Sequence, residues 1–107
     1  MKKIYLFCSG GMSTSILAQK MQKVADEYKV PVKITAFAHN KIDEIIKNDT
    51  PDCILLGPQV KYMYQETIDK YGNLRIPIAI IDSSDYGTMN GEKVLKTAVK
   101  LIKENKK

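Results

Sequence analysis

Residues 2–15 of the chain read KKIYLFCSGGMSTS, and this stretch sets the pattern of the whole fold. A short apolar run typical of a buried strand comes first, then a turn rich in glycine and serine, then the start of a helical pattern. We predict a strand over Lys3–Phe7 and a helix from about Ser13 to Tyr28. Four apolar residues at helical spacing are expected on the inward face of this helix: Leu17, Met21, Val24 and Tyr28.

The same alternation of strand and helix recurs three times. Further strands are expected at Val32–Phe37, Asp52–Leu56 and Pro77–Ile81. Further helices are expected at Ile42–Asn48, about Gln59–Tyr71 and about Gly91–Glu104. The last two strands are near-continuous apolar runs, which predicts helices on both of their faces. The pattern favours an α/β fold with an open four-stranded parallel sheet in the flavodoxin-like order 2-1-3-4, formed by residues 1–107 as a single domain.

Composition and charge exclude several classes of protein. The net charge is +5, but the lysines are spread along helices and at the ends without interleaved aromatic residues, so nucleic-acid binding is not expected. The apolar run before Cys8 is shorter than the roughly 7–15 residues of a secretory signal and the about 20 of a membrane span. We expect a cytoplasmic monomer that does not insert into membranes. The sequence has no CxxC motif, and neither a metal nor another cofactor is expected.

Cys8 and the turn after it form the candidate reactive site. Ligands of open parallel sheets bind beyond the carboxyl ends of the strands, and Cys8 lies there in the predicted fold. Small residues let backbone N–H groups turn inward around an anion, and a helix N-terminus adds partial positive charge. This setting suits phosphate and favours the thiolate form of a cysteine. The predicted phosphate-binding residues are Ser9, Gly10, Gly11, Met12, Ser13, Thr14 and Ser15.

No charged residue lies between Cys8 and Ile16. Cysteine-dependent phosphatases hold their phosphoryl group with an arginine six residues after the cysteine, where this chain has Thr14. The loop therefore suits a carrier that accepts a phosphoryl group without hydrolysing it quickly. Two alternatives remain: a low-molecular-weight cysteine phosphatase or arsenate-reductase-like enzyme, and a flavodoxin-like binding module without catalysis.

Other side chains with reactive groups have structural interpretations. Cys53 lies in a predicted buried strand and is expected to pack in the core. His39 follows the second strand; it could assist proton transfer, but a solvated loop residue is the favoured interpretation. Asp82 and Asp85 could supply a general acid, but turn formation and helix capping are favoured. Tyr86 could contact a partner or pack over the loop, and the sequence does not separate these roles.

Three segments together resemble the enzyme IIB component of the lactose/cellobiose/chitobiose family of the phosphoenolpyruvate-dependent sugar phosphotransferase system (PTS). They are the opening KKIYLFCS with GMSTS, the LLGPQV and YM of Leu55–Met63, and IDSSDYGTMNGEKVLK at Ile81–Lys96. Gly10 or Gly11 stands where other members often carry alanine, which loosens the turn without removing its amides.

The resemblance implies a protein-N(π)-phosphohistidine–sugar phosphotransferase with a phosphocysteine intermediate. Cys8 would receive a phosphoryl group from a phosphohistidine of enzyme IIA. It would pass the group to a sugar bound by membrane enzyme IIC, a β-glucoside or disaccharide such as cellobiose, chitobiose or lactose. We expect the partners to dock on a rim around the Cys8 loop, made of Gly57, Pro58, Gln59, Tyr62, Asp82 and Tyr86.

Overall fold

The computed structural model describes residues 1–9 and 12–105, which form a parallel sheet with helices on both faces. The strands are β1 (Lys2–Cys8), β2 (Val32–Ala38), β3 (Cys53–Leu56) and β4 (Ile78–Ile80). The helices of these residues are α1 (Met12–Glu27), α2 (Ile42–Asn48), α3 (Tyr64–Tyr71), α4 (Ser83–Gly87) and α5 (Gly91–Glu104), with 3₁₀ turns at His39–Lys41, Pro58–Met63 and Gly72–Leu74. The strand order is β2-β1-β3-β4 and every pairing is parallel, so the predicted fold is confirmed.

The side chains of β1 alternate between two apolar layers. Ile4 and Leu6 enter the layer that α1 and α5 cover, whereas Tyr5 and Phe7 enter the layer on the opposite face. Successive residues of a strand point to opposite faces, so an uninterrupted apolar run is what a strand covered on both faces requires. The position of β1 in the middle of the sheet follows from its sequence.

Each long helix buries one face. In α1 the fully buried apolar side chains are Leu17, Met21 and Ala25, and the exposed side carries lysine and glutamate. In α5 the apolar face is Val94, Leu95, Ala98 and Ile102. Across residues 1–9 and 12–105 no helix is both long and apolar enough to span a membrane.

Gly91 lets α5 approach the backbone of α1. A Cβ on residue 91 would lie 2.9 Å from both the carbonyl carbon of Lys20 and the amide nitrogen of Met21. Real Cβ atoms are essentially never that close to backbone, so a side chain here requires the two helices to separate.

We expect Gly91→Ala to lower the free energy of unfolding by roughly 1–3 kcal/mol, the usual cost of overpacking a close contact. Helix propensity alone would make the alanine variant more stable, so a loss of stability would come from the close contact between α5 and α1. Gly87→Ala is the matched control, because a Cβ on residue 87 meets no atom within 4 Å. Urea titration of both variants tests this, and equal stability of Gly91→Ala and wild type would contradict the packing argument.

Several element boundaries differ from the prediction. The first strand extends through Cys8, which pairs with Ala38 of β2, so Cys8 ends the strand rather than following it. The third strand starts at Cys53, and the fourth is only Ile78–Ile80. Ile80, the last residue of the edge strand β4, is 39% exposed, whereas Ile78 and Ala79 pack against opposite apolar layers, so the predicted cover on both faces does not extend to Ile80.

The helix predictions need three corrections. Tyr28 is 67% exposed rather than inward, because α1 ends at Glu27 and the chain turns through Lys29 at a φ of 56°. The third predicted helix is a 3₁₀ segment, Pro58–Met63, followed by α3, and the 3₁₀ segment is kinked at Val60, whose φ of −117° is not helical. The short helix α4 was not predicted; the predicted turn at Asp82–Asp85 caps and begins it.

Candidate functional site

Cys8 is the last residue of an inner strand, at the carboxyl end of the sheet. It pairs with Ala38 of β2 on one side, and β3 lies on the other. Cys8 is 3% exposed, and α1 begins at Met12. In the order β2-β1-β3-β4 the chain changes direction across the sheet between β1 and β3, which is the position where ligands of open α/β sheets bind.

The loop after Cys8 offers exposed hydroxyls and no acidic residue at the start of α1. Ser9, Ser13 and Ser15 are exposed, and the first turn of the 16-residue helix α1 carries no carboxylate. Gly10 and Gly11 lie outside the described residues, and Met12 is described only through its backbone, as the first residue of α1. The partial positive charge of a helix N-terminus is thus directed at this end of the sheet with no adjacent carboxylate in α1 to offset it.

Thr14 differs from the serines around it. It is fully buried, and its Oγ1 lies 2.8 Å from the hydroxyl oxygen of Tyr86 in α4. Tyr86 is itself only 9% exposed. Packing beneath the start of α1 is therefore the role that the structure gives Tyr86, and its small exposed area leaves little for direct contact with a partner.

The bond between Thr14 and Tyr86 ties the first turn of α1 to α4. We expect Thr14→Val and Tyr86→Phe each to lower the free energy of unfolding by roughly 1–3 kcal/mol, since each leaves a buried hydroxyl without this partner. The double variant should lose less free energy of unfolding than the sum of the two single losses, and the difference, the coupling energy, should be about 1 kcal/mol. Denaturant titration of the four proteins measures the coupling; strictly additive losses would mean that the two hydroxyls do not act together.

Gly57 lies directly against Cys8. Its amide donates to the carbonyl of Phe7 at 2.8 Å, and a Cβ on residue 57 would lie 3.2 Å from the Cβ of Cys8. The same Cβ would lie 2.8 Å from Gln59 Oε1. Gly57 is buried, so its place is beneath the predicted docking rim rather than on it.

The other predicted rim residues are accessible to different degrees. Pro58 is half-buried, Gln59 is exposed and Tyr62 is 72% exposed. Asp82 is exposed and caps α4, where its Oδ2 accepts from the amides of Ser84 at 3.0 Å and Asp85 at 3.1 Å. Three of the predicted rim residues, Gln59, Tyr62 and Asp82, are thus available at the surface, and docking itself stays a prediction.

The two aspartates of this segment have structural partners. Asp82 forms the capping interaction that the sequence favoured. Asp85 is 8% exposed, and its Oδ1 lies 3.5 Å from Lys93 Nζ in α5. The capping interpretation is therefore confirmed for Asp82, and the carboxylate of Asp85 pairs with a lysine.

His39 contacts the backbone of Cys8, which the sequence did not predict. Its Nδ1 lies 3.1 Å from the carbonyl oxygen of Cys8, and the residue is half-buried. The expectation of a solvated loop residue holds only in part: His39 is half-buried and contacts Cys8, because the 3₁₀ turn His39–Lys41 directly follows the strand that pairs with Cys8. That adjacency was present in the predicted order 2-1-3-4 and is the signal that could have identified the contact.

Cys53 provides a contrast within the same sheet. It is fully buried in β3, and burial, with a smaller effect of Asp52, raises the pKa of its thiol to about 12. The predicted core role of Cys53 is confirmed. In the described part of the chain, no cluster of three or more His, Cys, Asp or Glu side chains is arranged to hold a metal ion.

The fold and the residues at the carboxyl end of its strands define the class of protein: a small α/β domain with a cysteine at the switch point of its sheet. Residues 3–97 match the family described as "PTS system, Lactose/Cellobiose specific IIB subunit". The chain belongs to this family and is a sugar-specific IIB component of the lactose/cellobiose type.

Three relatives of assigned function are similar to most of this chain, and two of them match over nearly their own full length. The galactose-specific EIIB component of the PTS of Lactococcus lactis subsp. cremoris is 41% identical over 94% of this chain and 96% of its own length. The cellobiose-specific EIIB component of Lactococcus lactis subsp. lactis is 40% identical over the same shares. The lactose-specific EIICB component of Staphylococcus epidermidis is 30% identical over 87% of this chain, which corresponds to 16% of that longer protein.

A solved structure agrees with the fold. The solution structure of the cellobiose-specific phosphotransferase IIB component of Borrelia burgdorferi superposes with a TM-score of 0.78 and 36% sequence identity. The match covers 97% of this chain and 94% of that one. The parallel four-stranded arrangement is therefore shared with another member of the family.

Proposed function

We propose that this protein is the cytoplasmic phosphoryl carrier of a sugar phosphotransferase system, with Cys8 as the residue that holds the phosphoryl group. The observation that carries the proposal is the position of Cys8. It ends β1 at the switch point, and the N-terminus of α1 follows after a loop whose sequence contains no charged residue. Family membership supports the same role, because the chain is a IIB component of the PTS.

In the first step the Cys8 thiolate attacks the phosphorus of a phosphohistidine on enzyme IIA in line. The S–P bond forms as the N–P bond breaks, and the histidine nitrogen leaves with the bonding electron pair. Backbone amides of the loop from about Gly10 to Ser15 and the N-terminus of α1 stabilise the equatorial oxygens. The exposed hydroxyls of Ser9, Ser13 and Ser15 are available to the same oxygens.

In the second step a hydroxyl oxygen of the sugar attacks the phosphorus. The O–P bond forms, the S–P bond breaks, and the thiolate of Cys8 is regenerated while the hydroxyl proton is lost to a base or to solvent. The sugar is bound by membrane enzyme IIC, a partnership that the EIICB relative supports by name. The relatives are named for galactose, cellobiose and lactose, and we propose a β-glucoside or disaccharide of this group as substrate.

Thr14 supports a carrier rather than a phosphatase. It stands where the cysteine phosphatases place arginine, it carries no positive charge, and its hydroxyl lies within hydrogen-bond distance of Tyr86. A site without an arginine that binds the phosphoryl group through two hydrogen bonds lacks a large part of the stabilisation of the transition state for hydrolysis. A long-lived phosphocysteine is compatible with this arrangement.

The proposal is tested by reconstitution. The protein is mixed with phosphoenolpyruvate, the general phosphotransferase proteins, enzyme IIA and membrane vesicles that contain enzyme IIC, and sugar phosphate is measured for cellobiose, chitobiose, lactose and galactose. We expect sugar phosphate only when this protein is present. Rapid hydrolysis of p-nitrophenyl phosphate without sugar phosphate would instead identify a phosphatase and contradict the carrier proposal.

A further inference from the structure

His39 and Cys8 are joined by a contact between a side chain and a backbone carbonyl. His39 Nδ1 lies 3.1 Å from the carbonyl oxygen of Cys8, across 31 residues of sequence. A carbonyl can only accept, so Nδ1 carries the proton and donates it. This is the sole histidine of the chain, and its ring contacts the residue that the proposed function makes the nucleophile.

The contact fixes the direction of the next amide in the chain. The peptide bond between Cys8 and Ser9 is planar and trans, so the Cys8 carbonyl and the Ser9 N–H point in opposite directions. The Cys8 carbonyl points to the β2 side, where His39 lies, whereas the carbonyl of Phe7 points to the β3 side and accepts from Gly57. The N–H of Ser9 is consequently directed toward the β3 side, where the switch point lies.

We propose that His39 is a positioning residue for phosphoryl transfer: by holding the Cys8 carbonyl, it aims the Ser9 N–H at the phosphoryl group carried by the sulfur of Cys8. An amide that is already oriented stabilises developing negative charge without reorganising during the reaction. His39 touches neither the sulfur nor the phosphoryl group in this role. The inference rests on the proposed function, since it assigns a residue to the same transfer.

Three substitutions test whether a hydrogen-bond donor at the Nδ1 position, rather than another property of the ring, is what matters. Asparagine places its amide nitrogen close to the position of Nδ1, glutamine places it nearer the position of Nε2, and alanine has no donor. With phosphorylated enzyme IIA as donor, we expect His39→Ala to slow single-turnover phosphorylation of Cys8 about tenfold, a fraction of the effect of deleting an oxyanion donor. His39→Asn should recover to within about threefold of wild type, and His39→Gln should stay close to alanine.

The outcomes discriminate this inference from the proposed function itself. If wild type accepts no phosphoryl group from phosphorylated enzyme IIA, the proposed function fails. If wild type is phosphorylated and His39→Ala matches its rate, the proposed function stands and the role of His39 is overturned. Asparagine and glutamine variants that are equally slow would also overturn it. Thermal melting of each variant, together with the Ser9 amide signal in ¹H–¹⁵N spectra, reports whether a rate loss comes from the local peptide or from general unfolding.

Discussion

Cys8→Ser is expected to reduce sugar phosphate formation in the reconstituted system by at least roughly 1,000-fold. Serine nearly preserves the volume of the residue but replaces a strongly nucleophilic sulfur with a much less nucleophilic hydroxyl oxygen. The exposed hydroxyls of Ser9, Ser13 and Ser15 do not substitute for it, because they lie beyond the end of β1. The measurement is the initial rate of sugar phosphate formation at saturating enzyme IIA.

Cys53→Ala is the matched control for this substitution. Cys53 is fully buried in β3 and its thiol stays protonated, with a pKa raised by burial to about 12. We expect this variant to lose some stability and to keep its transfer rate. Activity retained by Cys8→Ser, or lost in a folded Cys53→Ala, would show that the wrong cysteine has been assigned.

Gly57→Val is expected to slow transfer about 100-fold, and Gly57→Ala about tenfold. Gln59 Oε1 ends a flexible side chain and can move away from a new Cβ, but the Cβ of Cys8, at 3.2 Å, belongs to a residue held in the sheet by its pairing with Ala38. The added side chain therefore displaces the nucleophile. Misplacement of a reacting group by about 1 Å can cost on the order of 100-fold in rate.

Gly72 provides the control for steric bulk. A Cβ on residue 72 would meet Ile68 Cγ2 at 3.6 Å, an ordinary van der Waals contact. Gly72→Ala and Gly72→Val should transfer phosphoryl groups at rates near wild type. The measurement is the single-turnover rate of Cys8 phosphorylation in the Gly57 variants and in the Gly72 variants. A folded Gly57→Val with the wild-type rate would show that a side chain at residue 57 does not displace Cys8.

The sheet could be predicted because the residue pattern within each strand and helix indicates which of its faces are buried. The run Ile4–Phe7 is apolar at every position, which a strand with helices on both faces requires, and the helical spacing of Val94, Leu95, Ala98 and Ile102 marks a buried stripe. Short right-handed connections between such elements leave few possible strand orders. The order 2-1-3-4 followed from these constraints.

The edges of the fold were less predictable because they depend on which residues have neighbours. Ile80 is an apolar residue of the kind found in buried strands, but it lies on an edge strand and is exposed. Tyr28 continues the helical spacing of α1, yet the helix ends one residue earlier. The spacing of apolar residues does not show where an element ends.

Part of the candidate site was also beyond sequence reasoning. The position of Cys8 and the absence of an arginine six residues later are visible in the sequence. The contact of Thr14 with Tyr86 joins residues 72 positions apart and follows from no local pattern. The contact of His39 with Cys8, across 31 positions, could be inferred only from the predicted strand order. Gly57 reads as a turn residue in the sequence, and its close approach to Cys8 appears only when β1 and β3 are paired.

The central claim is that Cys8 carries the phosphoryl group, and mass spectrometry of the phosphorylated protein tests it most directly. Wild type and Cys8→Ser are incubated with phosphoenolpyruvate, the general phosphotransferase proteins and enzyme IIA, then measured intact and after proteolysis. The account predicts one added phosphoryl group on wild type, located on Cys8, that is lost when enzyme IIC and sugar are supplied. A phosphoryl group on any other residue, or an equal adduct on Cys8→Ser, would contradict it.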